Sequence, residues 1–290
     1  MQHQNIPTII LCGGMGTRMK EETEFRPKPM VEVGGKPILW HIMKGYEHYG
    51  YNDFILALGY KGNEIKDFFA KQQLFISDFT INTKTGEKTF LDRNAEDDFK
   101  ITFVDTGQST LTGERVLKLK KYINNDYFMC TYGDGVADVN IEELVAFHKK
   151  QNTIGTLTGV NPNSRFGLMA INDKNIISSF KQKPKLHDFV NGGFMIFKKE
   201  FFDYLKEGDM IEDAFERLVN KNQISLFPHS GFWFAVDTIR DLEEANKLWD
   251  ESKPWAIWDN KITNKANMAR KTGNIKSVNK SLEPANKSNQ

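Results

Sequence analysis

Between Pro7 and Val160 the chain alternates short apolar runs with amphipathic stripes, and this alternation limits the fold more than any other feature. PTIILC (7–12), DFILALGY (53–60), FKITFVDTG (99–107), DYFMCTYGDG (126–135) and TIGTLTGV (153–160) read as strands. PTIILC is a short apolar run bounded by Pro and Gly, which suits a strand buried on both faces. Segments of helical period lie between them. PILWHIMKGYEHYG (37–50) puts Ile38, Leu39, Ile42, Met43 and Tyr46 on one stripe, with Pro37 at its start and Gly50 at its end. NEIKDFFAKQ (63–72) opens on a capping Asn63 and carries Ile65, Phe68 and Phe69. ERVLKLKKYI (114–123) is a third helix, and Asn140 opens a fourth with Glu143 three positions on, a capping-box arrangement. The order predicts an α/β fold with right-handed crossovers, a mainly parallel sheet and helices on both faces.

Two stretches depart from the pattern. ISDFTINTKTGEKTFLD, within residues 74–98, reads as a hairpin turning at Thr85-Gly86, an insertion with no helical partner. Beyond residue 165 the strands are shorter and more polar, with turns expected at Pro184 and at Gly192-Gly193, before a last helix, TIRDLEEANKLWDES, bearing Ile239, Leu242, Ala245 and Leu248. No linker precedes residue 260, so residues 1–260 read as one α/β domain with a second-half elaboration. Residues 261–290 hold seven Lys/Arg against one Glu and little that is apolar. That composition cannot offset its ordering entropy, and a disordered basic tail is expected.

The net charge of +1 offers no field for nucleic acid or an anionic membrane. No window reaches the ~18 apolar residues of a membrane span, and there is no charged-then-apolar leader. Cys12 and Cys130 both lie in apolar runs read as buried strands, which argues against a disulfide framework and fits a reducing cytoplasm.

In an open parallel sheet, ligands gather beyond the carboxyl ends of the strands. The stretch LCGGMGTRMKEETEFRPKP (11–29) begins there. Gly13, Gly14 and Gly16 would let backbone N–H groups approach phosphate oxygens, although glycines alone also suit an ordinary turn. Two familiar phosphate loops do not match. Thr17-Arg18 follows Gly16 where a P-loop needs Lys-Ser/Thr, and Met19 stands where a dinucleotide fingerprint needs its third glycine. Pro27 and Pro29 prevent a long helix from running through this stretch. The loop is expected to fold over its ligand and bring Arg18 and Lys28 toward it.

G-G-x-G-T-R followed about ten residues on by P-K-P resembles the signature of the sugar-phosphate nucleotidylyltransferases. EETEFRPKPMVEVGGKPILWHIMK, VDTG, TYGDGVAD, SRFG, NGGF and GFWFAVDT extend the likeness over about residues 6 to 258, in a combination similar to the family's cytidylyl-transferring branch. The resemblance implies a Rossmann-like fold of the nucleotide-diphospho-sugar transferase type. It also implies transfer of a cytidylyl group from CTP to glucose 1-phosphate, with CDP-glucose and pyrophosphate as products, for deoxysugar and O-antigen precursors. Similar enzymes are homo-oligomers, hexamers among them, and the 74–98 insertion is a candidate interface.

A phosphate monoester is largely dianionic at neutral pH, with a second pKa of about 6, so it needs no general base. Catalysis then rests on alignment and charge neutralisation. By resemblance, Arg18 neutralises the leaving pyrophosphate, its planar fork suiting two oxygens, and Lys28 holds the α-phosphate. Asp134 and Asp237 would share Mg²⁺, a hard cation that takes one or two carboxylates with phosphates and water. Leu11, Cys12, Gly13, Gly14, Met15, Gly16 and Thr17 would form the nucleotide loop, and Thr110, Arg115 and Gly133 further nucleotide contacts. Asn191, Gly192 and Gly193 match the segment on the sugar's far side. Asp138 reads as a structural turn residue, and His41 and His48 as packing or surface.

Two positions depart from the family pattern. Glu114 interrupts T-G-G-R, placing a carboxylate beside an anion site unless it points away. In FKQKPK, Gln182 replaces the glutamate that bonds sugar hydroxyls, while Lys183 keeps the place of the lysine on the sugar phosphate. Gln182 still accepts hydrogen bonds but has no charge, so sugar affinity or choice would shift. Another pyrimidine nucleotide or another sugar 1-phosphate therefore remains an alternative. A nucleotide-sugar glycosyltransferase using the Asp134–Asp138 cluster is more remote, since it leaves no free pyrophosphate for Arg18 to hold. A silent nucleotide sensor fits poorly with Arg18, Lys28, Asp134 and Asp237 all in place.

Overall fold

A computed structural model describes residues 6–91 and 97–259. The tail expected to be disordered, 261–290, lies outside them. The first apolar run forms β1 (Thr8–Cys12), followed by the short helix α1 (Lys20–Thr23), the small ladder β2 (Glu32–Val33) with β3 (Lys36–Pro37), and α2 (Ile38–Glu47). Next come β4 (Asp53–Leu58), α3 (Gly62–Ile76), the hairpin β5 (Phe79–Ile81) and β6 (Lys88–Phe90), β7 (Lys100–Asp105) and α4 (Thr112–Lys118). The chain continues through β8 (Tyr127–Tyr132), β9 (Gly135–Ala137), α5 (Ile141–Gln151) and β10 (Gly155–Val160). The second half adds β11 (Leu168–Ile171), β12 (Ile177–Lys181), β13 (Val190–Lys198), α6 (Ile211–Val219), β14 (Ile224–His229), β15 (Trp233–Ala235) and α7 (Ile239–Glu251).

Seven strands form the central sheet in the order β14-β10-β13-β8-β1-β4-β7. All neighbours in it are parallel except β13, which runs antiparallel to β10 and β8. The alternating faces of β1 explain its unbroken apolar run. Ile10 and Cys12 enter a core with α2 and α7, while Ile9 and Leu11 enter a second core with α4 and α6 on the other face. Cys12 and Cys130 fall into opposite cores, and both are free thiols.

Local chemistry agrees with the sequence at several points. Asn140 caps α5, its Oδ1 accepting from Glu143 N at 3.1 Å. The β5–β6 turn has Gly86 at φ +75, with its N–H donated to Asn82 O at 2.7 Å. His41 packs inside the fold with a ring nitrogen 2.8 Å from Val33 O, and burial lowers its pKa to about 4. Asp138 is structural, accepting from Phe232 N at 2.6 Å and lying 3.0 Å from His229 Nε2.

Three readings are corrected. Asn63 does not cap α3: Lys61, in the left-handed region at φ 50, ends a tight turn from Gly59 and occupies the cap position. The third helix starts earlier than Glu114, at Thr112, and gives way after Lys118 to a 3₁₀ turn at Lys120–Tyr122. Gly192-Gly193 is no turn but part of β13, opposite a register shift between Leu157 and Gly159. A Cβ on Gly192 would stand 3.1 Å from Thr158 O, and Gly193 has φ +86, so these glycines allow close backbone approach within a strand.

Candidate active site

The carboxyl ends of β1 and β8 and the segment that follows β7 open on one cleft of about 590 Å³. The opening loop is shaped by one buried side chain, Arg115. Its Nη1 donates to Leu58 O, Thr106 Oγ1 and Gly107 O at 3.1, 2.6 and 2.7 Å, and its Nη2 to Gly13 O and Gln108 O, both at 3.1 Å. A Cβ on Gly13 would lie 2.2 Å from Arg115 Cζ, and one on Gly59 2.6 Å from Nη1. Gly13 is therefore bare because a guanidinium packs on it. Gly14, with nothing within 4 Å of its Cβ position, is the glycine open to a ligand. Gly16, at φ +61, caps the 3₁₀ turn Thr17–Met19 and is held by Thr23 Oγ1, 3.1 Å from its carbonyl.

Of the residues expected to meet a nucleotide, Leu11, Gly13, Gly14, Gly16, Thr17, Thr110, Arg115 and Gly133 line this cleft. Cys12 and Met15 do not. Cys12 is fully buried in the core, where desolvation pushes its thiol pKa far up, and the Met15 side chain is exposed. Arg115 also has a structural task, since its hydrogen bonds tie together the loops after β1, β4 and β7. Glu114 points away from the cleft, pairing with Lys118 at 2.8 Å and accepting from Gly208 N at 3.0 Å, which removes the conflict that its charge raised.

At one end of the cleft three charged groups meet. Lys28 Nζ donates to Asp134 Oδ2 at 2.7 Å and to Asp237 Oδ1 at 2.6 Å. The aspartates are far apart in sequence, and a small ladder joins them. Gly135 pairs with Ala235 in β9–β15, and Val236 N donates to Asp134 O at 2.9 Å. Burial opposes the Lys28 charge, but Asp134 and Asp237 outweigh it and raise the pKa. Burial likewise opposes ionisation of Asp237, and Lys28, Arg18 and Arg165 outweigh it and lower the pKa. The site is an ion-paired cage in which Lys28 and Asp237 each hold the other's charge.

Arg18 reaches the cage from the nucleotide side, its Nη1 3.7 Å from Asp237 Oδ2, with 75% of its side chain exposed. The sequence reading assigned nothing to Arg165, although it stands in the SRFG segment beyond the end of β10, where the sheet rule would have pointed. Its Nη2 lies 3.6 Å from the same Asp237 oxygen and 3.7 Å from Asp241 Oδ2. Asp241 is itself held by the capping box at the start of α7.

Asn191, Gly192 and Gly193 line a smaller adjoining cavity with Tyr132, Asp134 and Trp233. Asp134 belongs to both cavities. Tyr132 OH donates to Glu212 Oε1 at 2.5 Å and accepts from Asn191 Nδ2 at 3.4 Å. Gln182 and Lys183 are exposed and line neither cavity. They follow β12, in a two-stranded hairpin whose residues are all exposed.

No group of three or more His, Cys, Asp or Glu residues that could hold a metal ion occurs among the described residues. Two carboxylates already drawn onto one cation do fit a hard divalent ion whose other ligands come from phosphate and water.

The family model described as nucleotidyl transferase matches residues 7–252. The chain is 42% identical over 254 residues to the probable glucose-1-phosphate cytidylyltransferase of Bacillus subtilis, covering 86% of this chain and 99% of that one. It is 40% identical over 256 residues to the glucose-1-phosphate cytidylyltransferase of Salmonella typhimurium, covering 87% and 99%. Among solved structures, HddC of Yersinia pseudotuberculosis superposes with a TM-score of 0.62 at 23% identity, covering 84% of this chain and 99% of the other. A UDP-glucose pyrophosphorylase complexed with UDP-glucose does so with a TM-score of 0.62 at 16% identity, covering 86% and 99%.

Proposed function

The chain belongs to the nucleotidyl transferase family, and from that premise we propose that it transfers a cytidylyl group from CTP to α-D-glucose 1-phosphate, giving CDP-glucose and pyrophosphate. Two relatives named for this activity, at 42% and 40% identity over nearly their whole length, support the choice of substrates. The observation that carries the chemistry is the meeting of Lys28, Asp134 and Asp237 at the end of a glycine-lined cleft.

The sugar phosphate oxygen forms a bond to the α-phosphorus, and the bond from that phosphorus to the pyrophosphate oxygen breaks. Nucleophile and leaving group are both anions, so charge neutralisation is the protein's main contribution. An ammonium has three donors. Two of those on Lys28 are fixed by the aspartates, which leaves one oriented donor for the α-phosphate. Arg18 presents an exposed guanidinium to the leaving pyrophosphate. The open backbone at Gly14 and the Thr17 segment cradle the remaining phosphates. Asp134 and Asp237 would hold Mg²⁺, which supplies further charge neutralisation when bound. On the sugar side, Asn191 and the bare Gly192-Gly193 backbone border the small cavity that shares Asp134.

Incubation with glucose 1-phosphate and each of the four ribonucleoside triphosphates in Mg²⁺ tests the reading. CTP alone is expected to give a nucleotide sugar and stoichiometric pyrophosphate. Failure of every nucleotide to release pyrophosphate, or equal release with all four, would reject it.

Assembly and setting belong to the same proposal. A homo-oligomer is supported by exposed apolar side chains at two places: Phe75, Ile81 and Leu91 around the β5–β6 insertion, and Phe166, Met169 and Ile171 on the second-half hairpin. Apolar clusters of this kind are usually covered by a partner surface. The setting proposed is the cytoplasm, with the CDP-sugar going to O-antigen precursors, and the two buried free thiols accord with a reducing compartment.

A further inference from the structure

In-line displacement at phosphorus brings the nucleophile to the face opposite the leaving group, so a cage for two anions needs a cation on each side. Arg18 supplies the leaving side. On the basis of the reaction proposed above, we propose that Arg165 supplies the entering side and binds the phosphate of the sugar 1-phosphate.

Four observations carry this assignment. First, Arg165 and Arg18 converge on one atom: their Nη groups stand 3.6 and 3.7 Å from Asp237 Oδ2. They come from opposite halves of the chain, Arg18 from the loop after β1 and Arg165 from the loop after β10. Arg18 lines the nucleotide cleft and Arg165 does not, so Arg165 meets the shared carboxylate from outside the space that the nucleotide fills.

Second, the backbone that carries Arg165 is anchored. Ser164 N donates to Pro184 O at 2.8 Å, Leu186 N to Pro162 O at 2.9 Å, and Asn163 bridges to Lys185. Asn161 Nδ2 ties the same loop to His187 O and Asp188 O at 3.1 and 2.9 Å.

Third, the guanidinium is aimed but uncommitted. Both carboxylate contacts, at 3.6 and 3.7 Å, are longer than hydrogen bonds, and 60% of the side chain is exposed. The contrast is with Arg115, whose two terminal nitrogens are filled by five acceptors, and with Arg217, which pairs bidentately with Asp209. Asp237 and Asp241 attract Arg165 toward the cage without saturating it, leaving a planar fork that matches a phosphate monoester dianion.

Fourth, Lys183, the lysine expected on the sugar phosphate, is exposed and borders neither cavity. Arg165 is the second-half cation that the geometry ties to the cage.

The test is calorimetric titration of glucose 1-phosphate into the full chain saturated with the α,β-methylene analogue of CTP, for wild type, R165A, R165K and K183A. R165A is expected to weaken glucose 1-phosphate binding about 10- to 100-fold, the effect of losing charge-assisted hydrogen bonds. R165K should recover part of the loss, and affinity for the CTP analogue should stay within about twofold. Steady-state assays should show the same split, a raised KM for the sugar phosphate with an unchanged KM for CTP. Sugar-phosphate binding within twofold of wild type in R165A, or an equal loss of affinity for the CTP analogue, would overturn the assignment. Binding that depends on Arg165 without pyrophosphate release from CTP would uphold the phosphate site and reject the cytidylyl transfer on which it was built.

Discussion

The nucleotide side and the sugar side of this molecule are built on different principles. Around the nucleotide cleft, loops from β1, β4 and β7 are tied to one buried guanidinium, and Lys28 is fixed by two carboxylates before any substrate arrives. The hairpin at 168–181 has no buried residue, and Gln182 and Lys183 just beyond it face solvent. The part that handles triphosphate chemistry is pre-organised, and the part expected to read the sugar is left open. Pre-organisation is what electrostatic catalysis requires, because donors already in place cost no reorganisation when charge develops. Substitutions in the first region should therefore act on turnover or stability, and those in the second on sugar affinity.

The largest effect is expected at the cage. Asp237→Asn or Lys28→Ala should lower kcat about 10³-fold, as loss of a pre-organised charge contact does, with the melting temperature little changed. Near-full activity of Asp237→Asn in Mg²⁺ would remove Asp237 from the site. Arg115→Ala comes next and should act on folding. It removes the guanidinium from the carbonyls of Gly107 and Gln108, while Leu58 O and Gly13 O keep only Thr106 and Tyr60 N as donors, a loss of about 3–5 kcal/mol by urea unfolding. Arg115→Lys should restore only part of this, having fewer donors in a less fixed geometry. Unchanged stability in Arg115→Ala would mean that the loops do not depend on it.

Acid sharpens the same contrast between framework and cage. His41 and His148 are buried, and both pKa values are lowered to about 4, in His148 by burial with Lys198 and Lys149 adding to it. The unfolded chain therefore takes up protons first. Stability should be complete above the ordinary histidine value of about 6.5 and fall as pH drops toward 4, by about 2–3 kcal/mol per histidine. In the cage the two shifts run outward, Lys28 up and Asp237 down, the opposite of what the buried histidines show. A thermal-melt series at half-unit pH steps checks this. A melting temperature that does not fall between pH 6.5 and 4 would contradict it.

The smallest effects belong to the open side. Gln182→Glu and Lys183→Ala should each change KM for glucose 1-phosphate by less than about threefold, leaving kcat and KM for CTP alone. A larger change would show the hairpin closing over the sugar during turnover, and would break the division drawn here.

The framework was legible because its signals are local. The unbroken apolar run of β1, the stripe of α2 and the Asn140 cap each depend on residues within one or two turns. The glycine loop and its cations were legible by motif. What escaped depends on contacts between distant residues. Gly192-Gly193 looks like a turn in sequence, but serves a close approach to Thr158 across the sheet. Arg115 was legible as a cleft residue, but its structural task was not, because the five protein acceptors that it holds lie on loops far apart in sequence. Arg165 carried no signal beyond its place after a strand, because its meaning lies in Asp237 and Asp241, more than seventy residues away. Lys183 was assigned by resemblance alone, and it stands exposed just beyond β12.

The most direct test of the account is the distance from Lys28 Nζ to the nearest α-phosphate oxygen in a crystal structure with CTP and Mg²⁺. A separation of about 2.7–3.2 Å, with Arg18 turned toward the outer phosphates, is the predicted result. A nucleotide bound elsewhere, with Lys28 still closed on Asp134 and Asp237 alone, would contradict it.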